Sequence, residues 1–235
     1  MKKIFMLINC LILCFSFSLY SQDDASQGEA SIKGKKIDKF PFNVYTEKSD
    51  RKNHFFASGW MGDFGDLKIN DKCTTKPQSG KTCFQVRYSA ARKQNVGWSG
   101  IYWQNPANNW GTVKGGFDIT GAKKLYFYAR GEKGGEVVEF KIGGITGDYS
   151  DTTINSSGNI ELEKTWKLYE IDLSDADLSY IAGGFCFVVL AEANPDGCTF
   201  YLDNIQYSDK AEAGSAASGK EAGVGKTDTG KPPKK

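Results

Sequence analysis

Residues 123–144 read KKLYFYARGEKGGEVVEFKIGG, and the alternation in this stretch decides the fold. Successive strand residues point to opposite faces. Leu125, Phe127 and Ala129 therefore share one face, and Tyr126, Tyr128 and Arg130 the other. In 137–142, Val138, Phe140 and Ile142 form a second apolar row, leaving Val137, Glu139 and Lys141 outward. The glycines of 131–135 predict a hairpin turn between the two strands. That pairing would gather Tyr128, Arg130, Glu139 and Lys141 into one polar-aromatic outer patch, and Tyr126 on the same face is a further candidate ligand contact. Runs at 84–88, 167–173, 185–190 and 199–207 have the same strand character, and no long segment shows helical period. Strands without βαβ alternation predict an all-β sandwich of two antiparallel sheets.

Residues 97–111, GWSGIYWQNPANNWG, hold three of the chain's five tryptophans. A strand over 98–104 puts Trp98, Gly100, Tyr102 and Gln104 on one face, with Ser99, Ile101 and Trp103 on the other. Both faces carry large rings, so the pattern leaves open whether Trp98 or Trp103 fills the core. Trp98, Tyr102 and Trp110 are candidate ligand contacts. Aromatic rings beside amides and hydroxyls suit a sugar, whose C–H face stacks on a ring while its hydroxyls form hydrogen bonds.

The chain opens with two lysines, an apolar run over 4–19 and Leu-Tyr-Ser before an acidic segment. This predicts a signal peptide over 1–21 and an exported protein, periplasmic or secreted. Lipid attachment at Cys10 or Cys14 is disfavoured, because the apolar run before Cys10 is short and Leu13 stands where a small residue is wanted. Residues 22–38 read as a linker, 39–209 as the domain, and 210–235 as a disordered Lys/Gly/Ala-rich tail without an aromatic residue. The formal charge of +2 falls to about zero once the two leading lysines are removed. This gives no electrostatic reason to bind nucleic acid, and the mature chain needs no membrane span. Four cysteines remain in an oxidising compartment, and Cys73–Cys83 and Cys186–Cys198 are the favoured disulfides, each closing a turn.

Three segments then carry a family resemblance: residues 116–144, TWKLYEIDLSDADLSYIAGGFCFV over 165–188, and NPDGCTFYLDNIQY over 194–207. They resemble jelly-roll carbohydrate-binding modules, the galactose-binding-like sandwiches of secreted bacterial proteins. The earlier NHFFASGWMGDFGDL, over 53–67, is similar to segments of stand-alone proteins of this sort. The resemblance covers about residues 40–208. It implies a jelly roll, glycan binding, and a structural calcium held by Asp203 of the last strand with Glu47 as its N-terminal partner.

Catalytic alternatives are few. Triad chemistry would have to centre on His54, the single histidine. Residues 170–175, EIDLSD, resemble the E-x-D-x-x-E strand of laminarinase-type hydrolases, but Asp175 is shorter than the glutamate that geometry uses. Glu136 and Glu139 fall on opposite faces of a strand. The sequence therefore predicts a non-catalytic glycan-binding protein. An envelope or filament protein, a coat or sheath component gripping protein through the same face, is the alternative, and a glycosidase the weaker third.

Overall fold

The computed structural model describes residues 32–210. The expected signal peptide, residues 22–31 of the expected linker and the tail from 211 lie outside the described residues. Thirteen strands follow in chain order: β1 (Lys35–Lys36), β2 (Phe42–Tyr45), β3 (Phe56–Gly62), β4 (Leu67–Cys73), β5 (Cys83–Tyr88), β6 (Trp98–Gln104), β7 (Phe117–Asp118), β8 (Lys124–Gly131), β9 (Val137–Gly143), β10 (Ile154–Glu161), β11 (Lys167–Asp172), β12 (Gly183–Leu190) and β13 (Cys198–Ser208). A 3-10 turn, Phe64–Asp66, is the one helical element among the described residues.

Two antiparallel sheets stack. One has the order β10-β9-β12-β6-β3; the other runs β11-β8-β13-β5-β4, with β2 also paired to β13. Their inner rows make the core. Phe127 of β8 meets Phe140 of β9 at 4.6 Å and Phe185 of β12 at 5.3 Å between ring centroids. Burying such side chains contributes roughly 1.5–3 kcal/mol each. Trp103 packs inward on Phe84 at 4.8 Å and Phe185 at 5.3 Å, so Trp98 is the tryptophan of β6 that faces out.

The alternation in 123–144 holds, but the hairpin does not form. β8 pairs with β11 and β13, whereas β9 pairs with β10 and β12. The intervening turn crosses from one sheet to the other. The Glu136 carboxylate accepts the Lys133 and Gly134 amides, and the Gly131 and Gly135 amides donate to the carbonyls of Glu163 and Leu162. Both apolar rows reach the same core from opposite sides, which a hairpin would forbid. The expected single patch is thereby split, with Tyr126, Tyr128 and Arg130 on one outer face and Glu139 and Lys141 on the other.

The same crossing occurs between β12 and β13. Cys186 faces out from the five-stranded sheet against Tyr102 and Tyr180, while Cys198 packs on the central core. Their strands lie in different sheets, so the hairpin expected to bring Cys186 and Cys198 together does not form. Cys73 and Cys83, in contrast, are direct cross-strand partners. All four are thiols in this structure, and burial pushes the Cys83 thiol up to about 12. Lys35 and Lys36, inside the segment read as linker, form β1 parallel to β7.

Candidate ligand-binding face

The outer face of the five-stranded sheet is built in rows. Met61, Gly100, Val188 and Glu139 lie side by side across β3, β6, β12 and β9. A second row runs through Gly59, Tyr102, Cys186, Lys141 and Ser156, and Trp98 pairs with Leu190 at one end. Gly100 keeps the floor low, since a Cβ there would stand 2.6 Å from the Phe187 carbonyl oxygen and 2.9 Å from Met61 Cε.

Turns fix both ends of this face. Beside Trp98, the buried Asp63 carboxylate accepts the amides of Gln94, Val96 and Gly97, at 2.6, 3.2 and 2.6 Å. Burial alone would raise its pKa; these amides hold it below the usual carboxylate value. The Asp63 amide in turn donates to the Trp98 carbonyl at 2.7 Å. At the other end Asn109 organises its own loop. Its Oδ1 accepts the Gly111 amide at 3.0 Å, and its Nδ2 donates to the carbonyls of Asn105 and Val113. This presents Trp110, 40% exposed, edge-on to Tyr102 at 6.0 Å. Tyr102 itself is covered, and its hydroxyl donates to the Gly143 carbonyl at 2.9 Å. The loop after β9 packs against the Trp110 loop, with the Tyr149 amide donating to the Gly111 carbonyl. Asp151 holds that loop through the amides of Ile145, Ala182 and Gly183, and burial raises its pKa.

Polar groups line the side opposite β3. Lys141 Nζ lies 2.9 Å from Glu139, whose other oxygen accepts the Ser156 hydroxyl at 2.6 Å. Trp98, Tyr102, Trp110, Glu139 and Lys141 thus share one face, as candidate ligand contacts should. Sequence reading missed Met61, Val188, Leu190 and Ser156 there. Their strands carried the signal, but only the pairing places them in rows with Gly100 and Tyr102.

The other three candidates sit on the opposite outer face, and two of them, Arg130 and Tyr126, are engaged with neighbouring side chains. Arg130, only 7% exposed, lies 3.6 Å over the Tyr201 ring and 5.2 Å over Trp166. It donates to the Thr75 carbonyl at 3.1 Å. The Tyr126 hydroxyl donates to Gln206, whose amide donates to Asn43. Tyr128 is half-buried, with Leu168 and Asp203 as its cross-strand neighbours. The carboxylates considered for glycosidase chemistry also have structural partners. Glu170 pairs with Lys124 at 2.5 Å, Asp172 accepts the Ser174 amide and hydroxyl, and Glu136 caps its turn.

Glu47 and Asp203 do converge, on the loop between β4 and β5. Asp203 accepts the amides of Gln78 and Asn204, and Glu47 accepts the Lys81 amide and the Thr82 hydroxyl. Burial raises the Asp203 pKa to about 7, with the Glu47 charge adding to it. Two carboxylates bearing on one loop are the type of ligand a hard cation takes. They are not a full shell: no group of three or more His, Cys, Asp or Glu side chains is gathered among the described residues, and calcium takes six to eight oxygens.

No protein-family model matches the chain, and no curated protein does. Solved structures do. A family 30 carbohydrate-binding module superposes with a TM-score of 0.53 at 17% identity, covering 77% of this chain and 93% of that one. The family 30 module of a cellulosomal cellulase of Clostridium thermocellum gives 0.50 at 16%, covering 74% and 100%. The chain has the jelly-roll β-sandwich fold of carbohydrate-binding modules. Among the described residues no helix is long and apolar enough to cross a membrane.

Proposed function

We propose that the protein is a non-catalytic, exported glycan-binding protein whose ligand lies across β6, β12 and β9. The observation that carries this reading is that Trp98 and Trp110 are both partly exposed on one sheet face, with the covered Tyr102 between them and the Glu139–Lys141–Ser156 group alongside. Trp98 and Tyr102 are four strand residues apart, about 13 Å, and Trp110 extends the row. Two partly exposed tryptophans spaced along one face suit a chain of sugars better than a single small ligand. Rings supply stacking area, and the charged pair with its serine supplies donors and acceptors to hydroxyls. The fold shared with carbohydrate-binding modules supports the class of ligand, though a fold alone does not assign function. Retention of the intact protein on one class of a panel of polysaccharides tests it; retention on none overturns it.

One observation favours a second reading, in which the partner is an envelope or filament protein. β3 is an edge strand whose neighbourhood exposes Phe56 (56%), Trp60 (39%) and Phe64 (51%), and exposed aromatics at a sheet edge also serve protein contacts. Cross-linking in intact cells that captures one specific protein, lost in Trp60→Ala, would establish it. Calcium enters as a structural ion: held by Glu47 and Asp203, it would neutralise their repulsion and tie β13 to the β4–β5 loop.

A further inference from the structure

Where β1 and β2 enter the sandwich, a pocket of about 760 Å³ opens between residues 35–43, Phe117 and the 46–54 turn. Its floor is aromatic. His54 lies flat on Phe42 at 4.1 Å with 7° between the rings, and Phe117 meets both edge-on, at 5.5 and 5.0 Å. Its lining carries four lysines, Lys35, Lys36, Lys39 and Lys52, against Asp38 and Asp50. Asp50 is occupied within its own turn, accepting the Thr46 hydroxyl at 2.7 Å and the Lys52 amide at 2.9 Å. Among the described residues none of the four ammonium groups makes an ion pair. The His54 ring nitrogens make no hydrogen bond among them either.

An aromatic floor beneath a net excess of lysines without ion pairs is complementary to a ring that carries a negative charge. We propose that this pocket is a second binding site, for a carboxylate-bearing ring such as the uronate residue of an acidic saccharide. The ring's apolar face would lie on the Phe42–His54–Phe117 floor, and the carboxylate would take the lysines. No lining residue belongs to the outer face of the five-stranded sheet, so the site stands independently of the glycan face described above. Burial and then the Lys35 charge hold the His54 pKa below its ordinary value, with Asp50 opposing. A bound carboxylate would move it upward.

His54 is the only histidine in the chain, so its imidazole resonances in NMR spectra report on this pocket alone. Titration of the intact protein with tri-galacturonate is expected to shift those resonances saturably and raise the His54 pKa. A neutral galactose trisaccharide should leave them in place. Replacing Lys36 and Lys39 together by alanine should weaken binding roughly fivefold, and higher salt should weaken it further. Trp98→Ala should leave the response intact, which separates this site from the glycan face. Benzoate distinguishes a free aromatic acid from a sugar acid as the source of the ring carboxylate; a saturable response to either supports the site. No response to either anion at about 10 mM, or an equal response to the neutral trisaccharide, overturns the proposal.

Discussion

On the outer face of the six-stranded sheet, Arg130 is pressed between Tyr201 and Trp166, the Tyr201 hydroxyl donates to Glu132 and receives Gln85, and Tyr126 is tied to Gln206. On the five-stranded sheet, Trp98 is half-buried with no such partner, Leu190 beside it is exposed, and Trp110 is partly exposed with its one ring contact to Tyr102. Both faces carry aromatic rings and charges. What differs is whether the rings are already occupied: Arg130 lies over Tyr201 and Trp166, whereas among the described residues no ring or cation lies against Trp98. Occupied rings hold the fold together; a free one keeps its stacking area for a ligand.

The largest effect that would sharpen this contrast is loss of Arg130. Arg130→Ala should cost about 3 kcal/mol in denaturant unfolding, from lost packing and cation–π contact, and leave glycan affinity unchanged. Arg130→Lys should rescue little, because an ammonium lacks the planar face that stacks on Tyr201. Cys73 and Cys83, packed against Tyr201 on this same face, come next. Peptide mapping of the exported protein should find them joined, with Cys186 and Cys198 not joined to each other, and reduction should cost about 2–3 kcal/mol.

Asp203 gives the contrast a pH dependence. Its folded pKa of about 7 lies above the ordinary 3.8, so between these values the folded state binds the extra proton. Without calcium, stability should therefore fall as pH rises from about 4 through about 7. Calcium at pH 8 should restore the melting temperature, and Asp203→Asn should remove both the pH slope and the calcium response. A calcium-insensitive parent protein would remove the metal from the account. The smallest effect is expected at Glu139→Gln, which keeps the Ser156 contact, loses the Lys141 charge pair, and should weaken glycan binding roughly two- to fivefold with little change in stability.

The inward rows of β8 and β9 were legible because a strand has period two and both rows are apolar. Their pairing was not. Alternation says which side of a strand a residue faces, not which sheet the strand belongs to, and Phe127 and Phe140 look alike whether they share a sheet or face each other across a core. Arg130 was rightly placed on an outer face, yet its cover comes from Trp166, far along the chain, and no local pattern announces such a contact. The rings at 98–110 were legible as a candidate site because their number exceeds what one core face needs. The choice between Trp98 and Trp103 required the other sheet, where Phe84 closes over Trp103. Asp63, which holds the turn leading to Trp98, carried only the weak signal of an aspartate between glycines and aromatics.

In the proposed binding mode, ligand occupies the five-stranded face and not the six-stranded one. Retention on the responsive polysaccharide, compared between Trp98→Ala and Tyr128→Ala with melting temperatures recorded for both, tests it most directly. Trp98→Ala should lose retention tenfold or more, about 1.4 kcal/mol, while remaining folded, and Tyr128→Ala should bind as the parent does. Loss of retention in Tyr128→Ala, with Trp98→Ala binding normally, would contradict it and move the site to the opposite sheet.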